Sequence, residues 1–459
     1  MSAVGDLLAT HRAGGEPLRI LSASGQLGFG IPEAAFKAGI ARKPHFIGCD
    51  MGSVDPGPYY LGSGKMAASP SIARRDLEMV LLAARSLDIP LVIGSAGTAG
   101  ARPHLDATLA IVRDIARQHG LHFRLGTITS DIPVATMIAA ARAGRLTPLG
   151  NMPPVTEDEI RACSHVVGQC GTETFKRAFE LGPDVVIAGR ACDTAVFSAL
   201  PEMLGYPPGE CAHMAKIIEC TSLCCTPGGR DAMLALLEAD GFVLESMHGA
   251  RHATPASVAA HALYEQADPF EVIEPTGSVM LDSARYTALD AHRTRVGGAR
   301  WQQASQPSIK IEGALRIGER ALLLAGSVDP AFIRALPQIL GEVEVTARSV
   351  VPGSWQVFPH GYGLGAIRPL PAGLAPPAEI GLAIEFVADG TELAQAAATV
   401  FRQHLLHHGF PGRVSTAGNV AFAFTPPEFA CGTAYRFALY HTMQVEAVAP
   451  HFRVDVEAV

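Results

Sequence analysis

Residues 184–201 read DVVIAGRACDTAVFSALP, and this stretch decides the fold class. Its opening run of β-branched residues, from Val185 to Ile187, is typical of a buried strand, and the apolar spacing after Asp193 is typical of a helix. A tight turn that carries Arg190 joins the two. Because ligands of open α/β sheets bind just beyond the carboxyl ends of such strands, Arg190 and Asp193 are candidate site residues. The alternative is that Asp193 only caps the helix and that Arg190 is a solvated loop residue.

The pattern of strand, polar turn and helix recurs along the first half of the chain. Repeats of this kind predict an α/β fold with a mostly parallel sheet and flanking helices. The turns after parallel strands gather along one edge of the sheet, so we expect a polar cleft there, with glycine-rich turns that can bind an anion. The candidate substrate-binding residues in these turns are Ser24, Gly25, Gln26, Ser95, Gly97, Ser130, Gln169 and Arg190.

A long loop over residues 51–71 follows the second predicted strand and is dense in Gly, Pro and Ser. Loops of this length inside a compact α/β unit are often functional. Asp50 precedes the loop, and the loop itself carries Asp55 and Lys65. One interpretation is a lid over a polar ligand, and the other is a plain surface loop. Asp50, Asp55 and Asp193 also offer the oxygen ligands that a divalent metal ion prefers, and such an ion is our cofactor hypothesis.

Residues 213–225 carry a second set of reactive side chains. Lys216 and Glu219 share a face if this segment is helical and point to opposite faces if it is a strand, and the sequence leaves both open. The three cysteines of the segment lack a second cysteine pair or a matched histidine spacing. This pattern favours buried thiols over a structural zinc site.

The composition is typical of a well-buried globular protein. Of the 459 residues, 48% are hydrophobic and 17% are charged, which fits two or three domains. The net charge of -8 and the lack of Lys and Arg runs argue against nucleic acid binding. The sequence has no leader pattern and no apolar stretch of membrane-spanning length, so we expect a cytoplasmic protein without membrane contact. Its nine cysteines are expected to be reduced.

A change of pattern near residue 240 divides the chain. Beyond it, period-two alternation predicts antiparallel strands in α+β regions, and the proline-rich residues 369–377 are typical of a linker. The predicted domains are an α/β domain with the cleft over residues 1–238, a mixed α+β domain over 239–372 and a small α+β domain over 373–459. For the last, the order of strands and a helix fits a small C-terminal ferredoxin-like sandwich.

Six segments spread along the chain carry a distinctive set of motifs: ILSASGQLGFGIPEAAF at 20–36, GCDMGSVDPGPYYLGSGK at 48–65, IAGRACDTAVFSALP at 187–201, KIIECTS at 216–222, VAFAFTPPEF at 420–429 and YRFALYHTM at 435–443. Together they resemble the acyclic terpene utilization protein A (AtuA) family over most of the chain. The resemblance implies a role in the catabolism of acyclic terpenes and related branched acids. It also implies a small companion subunit, hence a heteromeric enzyme. Longer family members carry a further C-terminal ferredoxin-like domain, and we expect this shorter form to lack that addition.

The first functional hypothesis is a lyase of hydratase or dehydratase type. Its substrate would be a small or branched carboxylic acid or the CoA ester of such an acid. Arg190 and the glycine-rich turns would bind the carboxylate, one acidic side chain would act as base, and a lysine would act as acid or oxyanion partner. The candidate catalytic residues are Asp50, Lys65, Asp193, Lys216 and Glu219.

Two other hypotheses stay open. One is a hydrolase or acyl-transfer enzyme with Cys170 or Cys192 as nucleophile, because both thiols lie near predicted helix starts. The other is a non-catalytic, metabolite-binding subunit of a heteromeric complex. In each case we expect a homo-oligomer and a small-molecule ligand.

Overall fold

The computed structural model describes residues 2–263, 267–414, 416–423 and 425–459 and divides into two compact units. The larger unit comprises Met1–Leu315 and Phe437–Val459, and the smaller unit is Arg316–Arg436.

Helices and strands alternate over the first part of the chain, and strands dominate after it. The helices are α1 (Ala3–Thr10), α2 (Glu33–Ala41), α3 (Tyr59–Ser63), α4 (Pro70–Ser86), α5 (Arg102–His119), α6 (Val134–Arg142), α7 (Glu157–Ala162), α8 (Thr172–Glu180), α9 (Asp193–Met203), α10 (Pro208–Ile218), α11 (Pro255–Ala262), α12 (Pro330–Val350) and α13 (Thr391–His407). The strands are β1 (Leu18–Ser24), β2 (Phe46–Asp50), β3 (Leu91–Gly94), β4 (Arg124–Thr129), β5 (Leu146–Pro148), β6 (Cys163–Gly168), β7 (Val185–Ala188), β8 (Met233–Glu238), β9 (Gly241–Ser246), β10 (Glu271–Glu274), β11 (Gly277–Met280), β12 (Arg285–Ala288), β13 (Arg293–Gly297), β14 (Arg300–Gln303), β15 (Ser308–Ser327), β16 (Trp355–Tyr362), β17 (Ile380–Ala388), β18 (Glu428–Gln444) and β19 (Arg453–Ala458).

The main sheet of the larger unit contains ten strands in the order β12-β13-β9-β8-β1-β2-β3-β7-β4-β19. The adjacent strands β1, β2, β3, β7 and β4 are parallel. All the other neighbouring pairs of this sheet are antiparallel. The predicted α/β class is therefore confirmed. The prediction of a mostly parallel sheet is wrong, because antiparallel strands extend the parallel segment at both of its edges.

Helices cover both faces of the parallel segment. In β7, Val186 and Ala188 belong to a core that includes α8 and α9, whereas Val185 and Ile187 belong to a second core that includes α4 and α5. Burial on both faces explains why the sequences of these strands are continuous apolar runs. Because both faces are covered, the carboxyl ends of the strands are the natural place for a ligand.

Two segments differ from the predicted secondary structure and pairing. The segment MLALLE at 233–238 has residues that favour a helix, but it forms the strand β8, which pairs with β1 and β9. These pairings override the helical propensity of its Leu, Met and Ala residues. The segment that ends before Gln169 was predicted to join the parallel sheet, but β6 instead pairs antiparallel with the first part of β15.

The smaller unit contains α12, β16, β17 and α13 together with parts of β15 and β18. Its strands lie in the order β16-β17-β15-β18. Phe332 of α12, Phe386 of β17 and Phe401 of α13 are fully buried in its core. Residues 369–377, predicted as a linker, lie inside this unit between β16 and β17 and are exposed except at Pro377.

The two compact units divide after Leu315 and after Arg436, whereas the predicted domain boundaries were residues 238 and 372. The antiparallel pairing of β8 with β1 continues through β9 to β13, so these later strands belong to the same sheet as the parallel segment. No helix in the described part of the chain is long and apolar enough to cross a membrane.

Candidate functional site

Polar side chains converge at the carboxyl ends of the central parallel strands. Asp50 is the last residue of β2, Ser95 directly follows β3, and Arg190 follows β7 by two residues. Ser95 has a φ of 51°, in the left-handed region that non-glycine residues seldom adopt. Such strained backbone concentrates at functional sites, where the surrounding structure holds it in place.

Arg190 is buried in a bidentate ion pair with Glu312 of β15. Its Nε donates to Glu312 Oε2 at 2.8 Å, and its Nη2 donates to Oε1 at 3.2 Å. Nη1 donates to the Ser95 hydroxyl at 3.2 Å, and the side chain is only 4% exposed. A guanidinium with these partners positions the strand ends, and it is not free to bind a substrate carboxylate directly. Ser130 adds to this frame, because its hydroxyl donates to the Arg190 carbonyl at 2.8 Å.

Glu312 is shared among three donors. Besides Arg190, it accepts from Gln169 Nε2 at 3.2 Å and lies 3.3 Å from the Lys310 ammonium. Burial opposes ionisation of this carboxyl, but Arg190 and Lys310 together lower its pKa below the ordinary value. Glu312 is therefore an ionised anchor for two cations.

Lys216 and Glu219 form a second buried ion pair. Helix α10 ends at Ile218 and Glu219 is its C-cap, so the helical alternative holds and the two side chains lie on one face. The Lys216 ammonium is 2.5 Å from Glu219 Oε1. Burial and the neighbouring Asp193 raise the pKa of Glu219 well above its ordinary value, although Lys216 opposes the shift. Gly25 packs against this point: a Cβ there would lie 2.3 Å from the Glu219 carbonyl oxygen, so its role is close packing.

Asp193 is the acidic group on which the others converge. It is the first residue of α9, and Cys192 occupies the N-cap, so the interpretation of Asp193 as an N-cap is wrong. Its side chain is 37% exposed and lies 3.9 Å from Arg190. Asp50 is buried beside it, accepts the Gly52 backbone N–H at 2.6 Å, and has a raised pKa because of burial and the charge of Asp193.

Glu274 is a further acidic neighbour that the sequence analysis missed. It ends β10 and accepts a hydrogen bond from the Thr194 hydroxyl at 2.7 Å. Burial raises the pKa of Glu274 to about 7, and the charges of Asp193 and Glu173 act in the same direction. A carboxyl that titrates near neutral pH suits general acid or base catalysis.

The sequence carries only weak signals for Glu312 and Glu274, the two residues of the cluster that were not predicted. Glu312 lies in the segment SIKIEGALRI at 308–317, within the region of predicted antiparallel strands, and it is completely buried. A carboxylate buried within an apolar strand needs a cationic partner, and the position of Glu312 in such a strand was the one sequence signal for this ion pair. No comparable pattern surrounds Glu274.

Several predicted site residues lie away from this cluster. Asp55 and Lys65 are exposed, and the loop that carries them forms the short helix α3. Gln26 is exposed and accepts a hydrogen bond from Arg230 at 3.1 Å. Gly97 has a φ of +61° and packs against His104. Ser24 accepts the backbone N–H of Gln26 at 3.2 Å, which is a local turn bond.

The predicted metal triad does not form. Within the described ranges, the group with three candidate ligand atoms within 4.8 Å of one another is His11, Glu16 and His45, at the amino ends of β1 and β2. The backbone N–H of Arg19 donates to His45 Nδ1 at 3.0 Å, and the Arg19 guanidinium lies 2.8 Å from His45 Nε2. Because both ring nitrogens of His45 face donors of Arg19, neither offers a free lone pair to a metal ion in this arrangement.

Cys170 and Cys192, the candidate thiol nucleophiles, both have raised pKa values and are therefore protonated at neutral pH. Burial raises the pKa of Cys170 to about 12. Burial and the charge of Glu274 raise the pKa of Cys192 well above its ordinary value. Since the thiolate is the reactive form, neither residue resembles an activated cysteine.

The fold and the cluster define a class of protein: an α/β protein with a buried group of acidic and basic side chains at the carboxyl edge of its parallel strands. Residues 71–206 match the model of a family described as acyclic terpene utilisation family protein AtuA, which confirms the predicted family resemblance. The matched segment contains Ser95, Arg190 and Asp193. Searches of curated proteins and of solved structures found no match.

Proposed function

We propose that this protein is a hydro-lyase that adds water to, or removes it from, a small or branched carboxylic acid or its thioester in catabolism. The observation that carries the proposal is the convergence of Asp50, Glu219 and Glu274 on Asp193. Burial and the charge of Asp193 raise the pKa values of all three carboxyls, and Glu274, with a pKa of about 7, provides a proton donor beside the partly exposed Asp193 as proton acceptor.

Dehydration needs a base and an acid at the same time. Asp193 is the proposed base: it removes a proton from the carbon next to the carboxyl carbon, and those electrons form the new C=C bond. Glu274 is the proposed acid: it donates its proton to the leaving hydroxyl, so that the C–O bond breaks and water departs. Hydration runs the same steps in reverse. The positive charges of Lys216 and Arg190, each paired with a glutamate, would set the electrostatic environment of Asp193 and Glu274.

The catabolic role is supported by the family match, whose description names acyclic terpene utilisation. A companion subunit and a homo-oligomeric state stay part of the proposal. So does the small ferredoxin-like sandwich expected over residues 373–459. The raised thiol pKa values count against the cysteine hypothesis.

The test is isotope exchange in water enriched in heavy oxygen. Purified protein would be incubated with a panel of β-hydroxy and α,β-unsaturated acids, both as free acids and as CoA thioesters. The masses of the products would then be measured by mass spectrometry. Reversible hydration puts the heavy oxygen into the hydroxyl group of one or more panel members. A panel without enzyme-dependent label would contradict the lyase assignment and favour the non-catalytic subunit.

A further inference from the structure

A small cavity borders Glu274, the proposed acid. Its volume is about 20 Å³, and the residues that line it include Glu173, Glu202, Ala212, Thr276 and Trp301 besides Glu274. A space of this size holds one water molecule, provided that polar groups in the wall can hydrogen-bond to it. The question is therefore which polar atoms of the wall lack a partner.

One carboxylate oxygen in this wall has no hydrogen-bond partner among the described residues. Glu173, in the first turn of α8, accepts the Thr276 hydroxyl on Oε1 at 2.5 Å, but its Oε2 is buried and unpaired. A Cβ on Gly171 would lie 3.1 Å from Glu173 Oε2 and 2.9 Å from Pro275, so this oxygen lies near the residue that follows Glu274. A buried acceptor without a donor costs free energy, and a water molecule that donates to it removes this cost.

Glu274 joins the cavity to the acidic cluster. The Thr194 hydroxyl donates to Glu274 Oε1 at 2.7 Å, which leaves Oε2 available to a further partner. The charged groups that act on Glu274 are Glu173 of α8, Asp193 of α9 and Lys216 of α10. The first of these lines the cavity, whereas the other two belong to the cluster. A water in the cavity therefore lies beside the proposed acid without occupying the place of a substrate at Asp193.

Glu202 of α9 provides a contact with solvent in the same wall. Its Oε2 is 2.5 Å from the Lys176 ammonium, and the two side chains are 11% and 32% exposed. Burial and the charge of Glu173 raise the pKa of Glu202, although Lys176 opposes the shift. A carboxyl of this kind takes up a proton from solvent more readily than an ordinary glutamate does.

We propose that this cavity binds one water molecule, that the water bridges Glu173 Oε2 and the Glu274 carboxyl, and that Glu274 exchanges its proton with solvent through this water and Glu202. When Glu274 is ionised, the water donates a proton to it and receives one from Glu202, which takes up another from solvent. In the proposed dehydration, Glu274 regains in this way the proton that it gives to the leaving hydroxyl. This role in turnover rests on the proposed function, whereas the water and its contacts do not.

Two measurements test the inference. A high-resolution crystal structure of the wild-type protein should show a water within about 3 Å of both Glu173 Oε2 and the Glu274 carboxyl. The second is an NMR titration of protein with carbon-13 in its glutamate carboxyl groups, in which the Glu274 signal is the one missing from Glu274→Gln. In wild type this signal should titrate near pH 7.

Variants separate the water from the charge of Glu173. Ala212→Val fills the cavity and should raise the pKa of Glu274 to about 8, because the ionised form loses a hydrogen-bond donor. Glu173→Gln removes a like charge and should lower that pKa to about 6. The matched controls are Ala38→Val on the exposed face of α2 and Glu180→Gln at the exposed end of α8, and both should keep the wild-type value.

Three results would overturn the inference. They are a wild-type structure without a water that contacts both Glu173 and Glu274, a folded Ala212→Val protein with an unchanged Glu274 pKa, or wild-type heavy-oxygen exchange by that variant, whose rate should fall about tenfold. The wild-type structure decides the matter even if Ala212→Val fails to fold. A bridging water with the expected titrations, but no oxygen exchange by the wild-type protein, would leave this inference intact and contradict the proposed function.

Discussion

The Arg190 guanidinium and the Glu312 carboxylate, 122 residues apart in the sequence, form a bidentate pair with contacts of 2.8 and 3.2 Å. The pair ties the turn after β7 to the strand β15 and sets the positions of Ser95, Gln169 and Lys310 around it. The candidate site is therefore assembled from the parallel sheet and from a strand outside that sheet.

Glu312→Gln should destabilise the fold. It leaves the Arg190 charge buried without its counterion, so the free energy of unfolding should fall by about 3 kcal/mol at neutral pH. Because the pKa of Glu312 is lowered in the folded protein, its contribution is present above the unfolded pKa and is lost as the pH falls through the folded pKa. The difference from wild type should thus shrink in acid. Urea denaturation at several pH values measures this.

The matched control is Glu33→Gln. This variant breaks the exposed pair with Lys37 on α2 and should show no measurable change. If Glu312→Gln were as stable as Glu33→Gln at neutral pH, Arg190 would not depend on Glu312.

Lys216 and Glu219 should be energetically coupled. Either Lys216→Met or Glu219→Gln alone removes one partner of a buried pair and should reduce the free energy of unfolding by about 3 kcal/mol. The double variant should be more stable than the sum of the two changes predicts, by about 2 kcal/mol. Denaturation of the four proteins gives the coupling energy, and strict additivity would show that the two side chains act independently.

Glu274→Gln should stabilise the protein at alkaline pH. The pKa of Glu274 is raised to about 7, so the folded state resists its ionisation, and the stability that the protonated group supports is lost as the pH rises toward 7. Glutamine keeps the acceptor for the Thr194 hydroxyl but has no charge. At pH values above 7 the variant should gain about 3 kcal/mol over wild type, and below the unfolded pKa the gain should vanish. A gain that does not depend on pH would contradict this origin.

Thiol alkylation should leave the activity intact. Burial raises the pKa of both Cys170 and Cys192, so iodoacetamide at neutral pH should react with neither in the folded protein. Mass spectrometry of tryptic peptides reports which cysteines are modified, and unfolded protein serves as the control in which all react. Inactivation in step with modification of Cys192 would revive the cysteine mechanism.

Much of the parallel part of the main sheet could be predicted from the sequence. Apolar runs such as Val185–Ala188, each followed by a polar turn, predicted the strands whose ends bring Asp50, Ser95 and Arg190 together. This works because strands buried on both faces have an unmistakable composition. The same reasoning failed for β6 and β8, where pairing with distant strands decides the structure and local propensity does not.

The rest of the site could not be predicted because its contacts are non-local. Glu312 and Glu274 reach Arg190 and Thr194 from strands 122 and 80 residues further along the chain, and no motif spacing encodes such contacts. Conversely, Asp55 follows Asp50 closely in sequence but is exposed. Proximity in sequence was therefore a poor guide to which acidic groups share a site.

Asp193→Asn tests the central claim most directly. The variant keeps the size of the side chain at the start of α9 but removes the carboxylate on which the buried acids converge. Its matched control is Asp158→Asn, which changes an exposed acid in the first turn of α7. The measurement is the rate of heavy-oxygen exchange into a panel substrate that wild type labels, with thermal unfolding as a check of the fold.

We expect Asp193→Asn to fold and its exchange rate to fall by about a hundredfold or more, the usual contribution of a general base. Asp158→Asn should keep the wild-type rate. A folded Asp193→Asn protein that exchanges oxygen as fast as the Asp158→Asn control would contradict an acid–base site centred on Asp193.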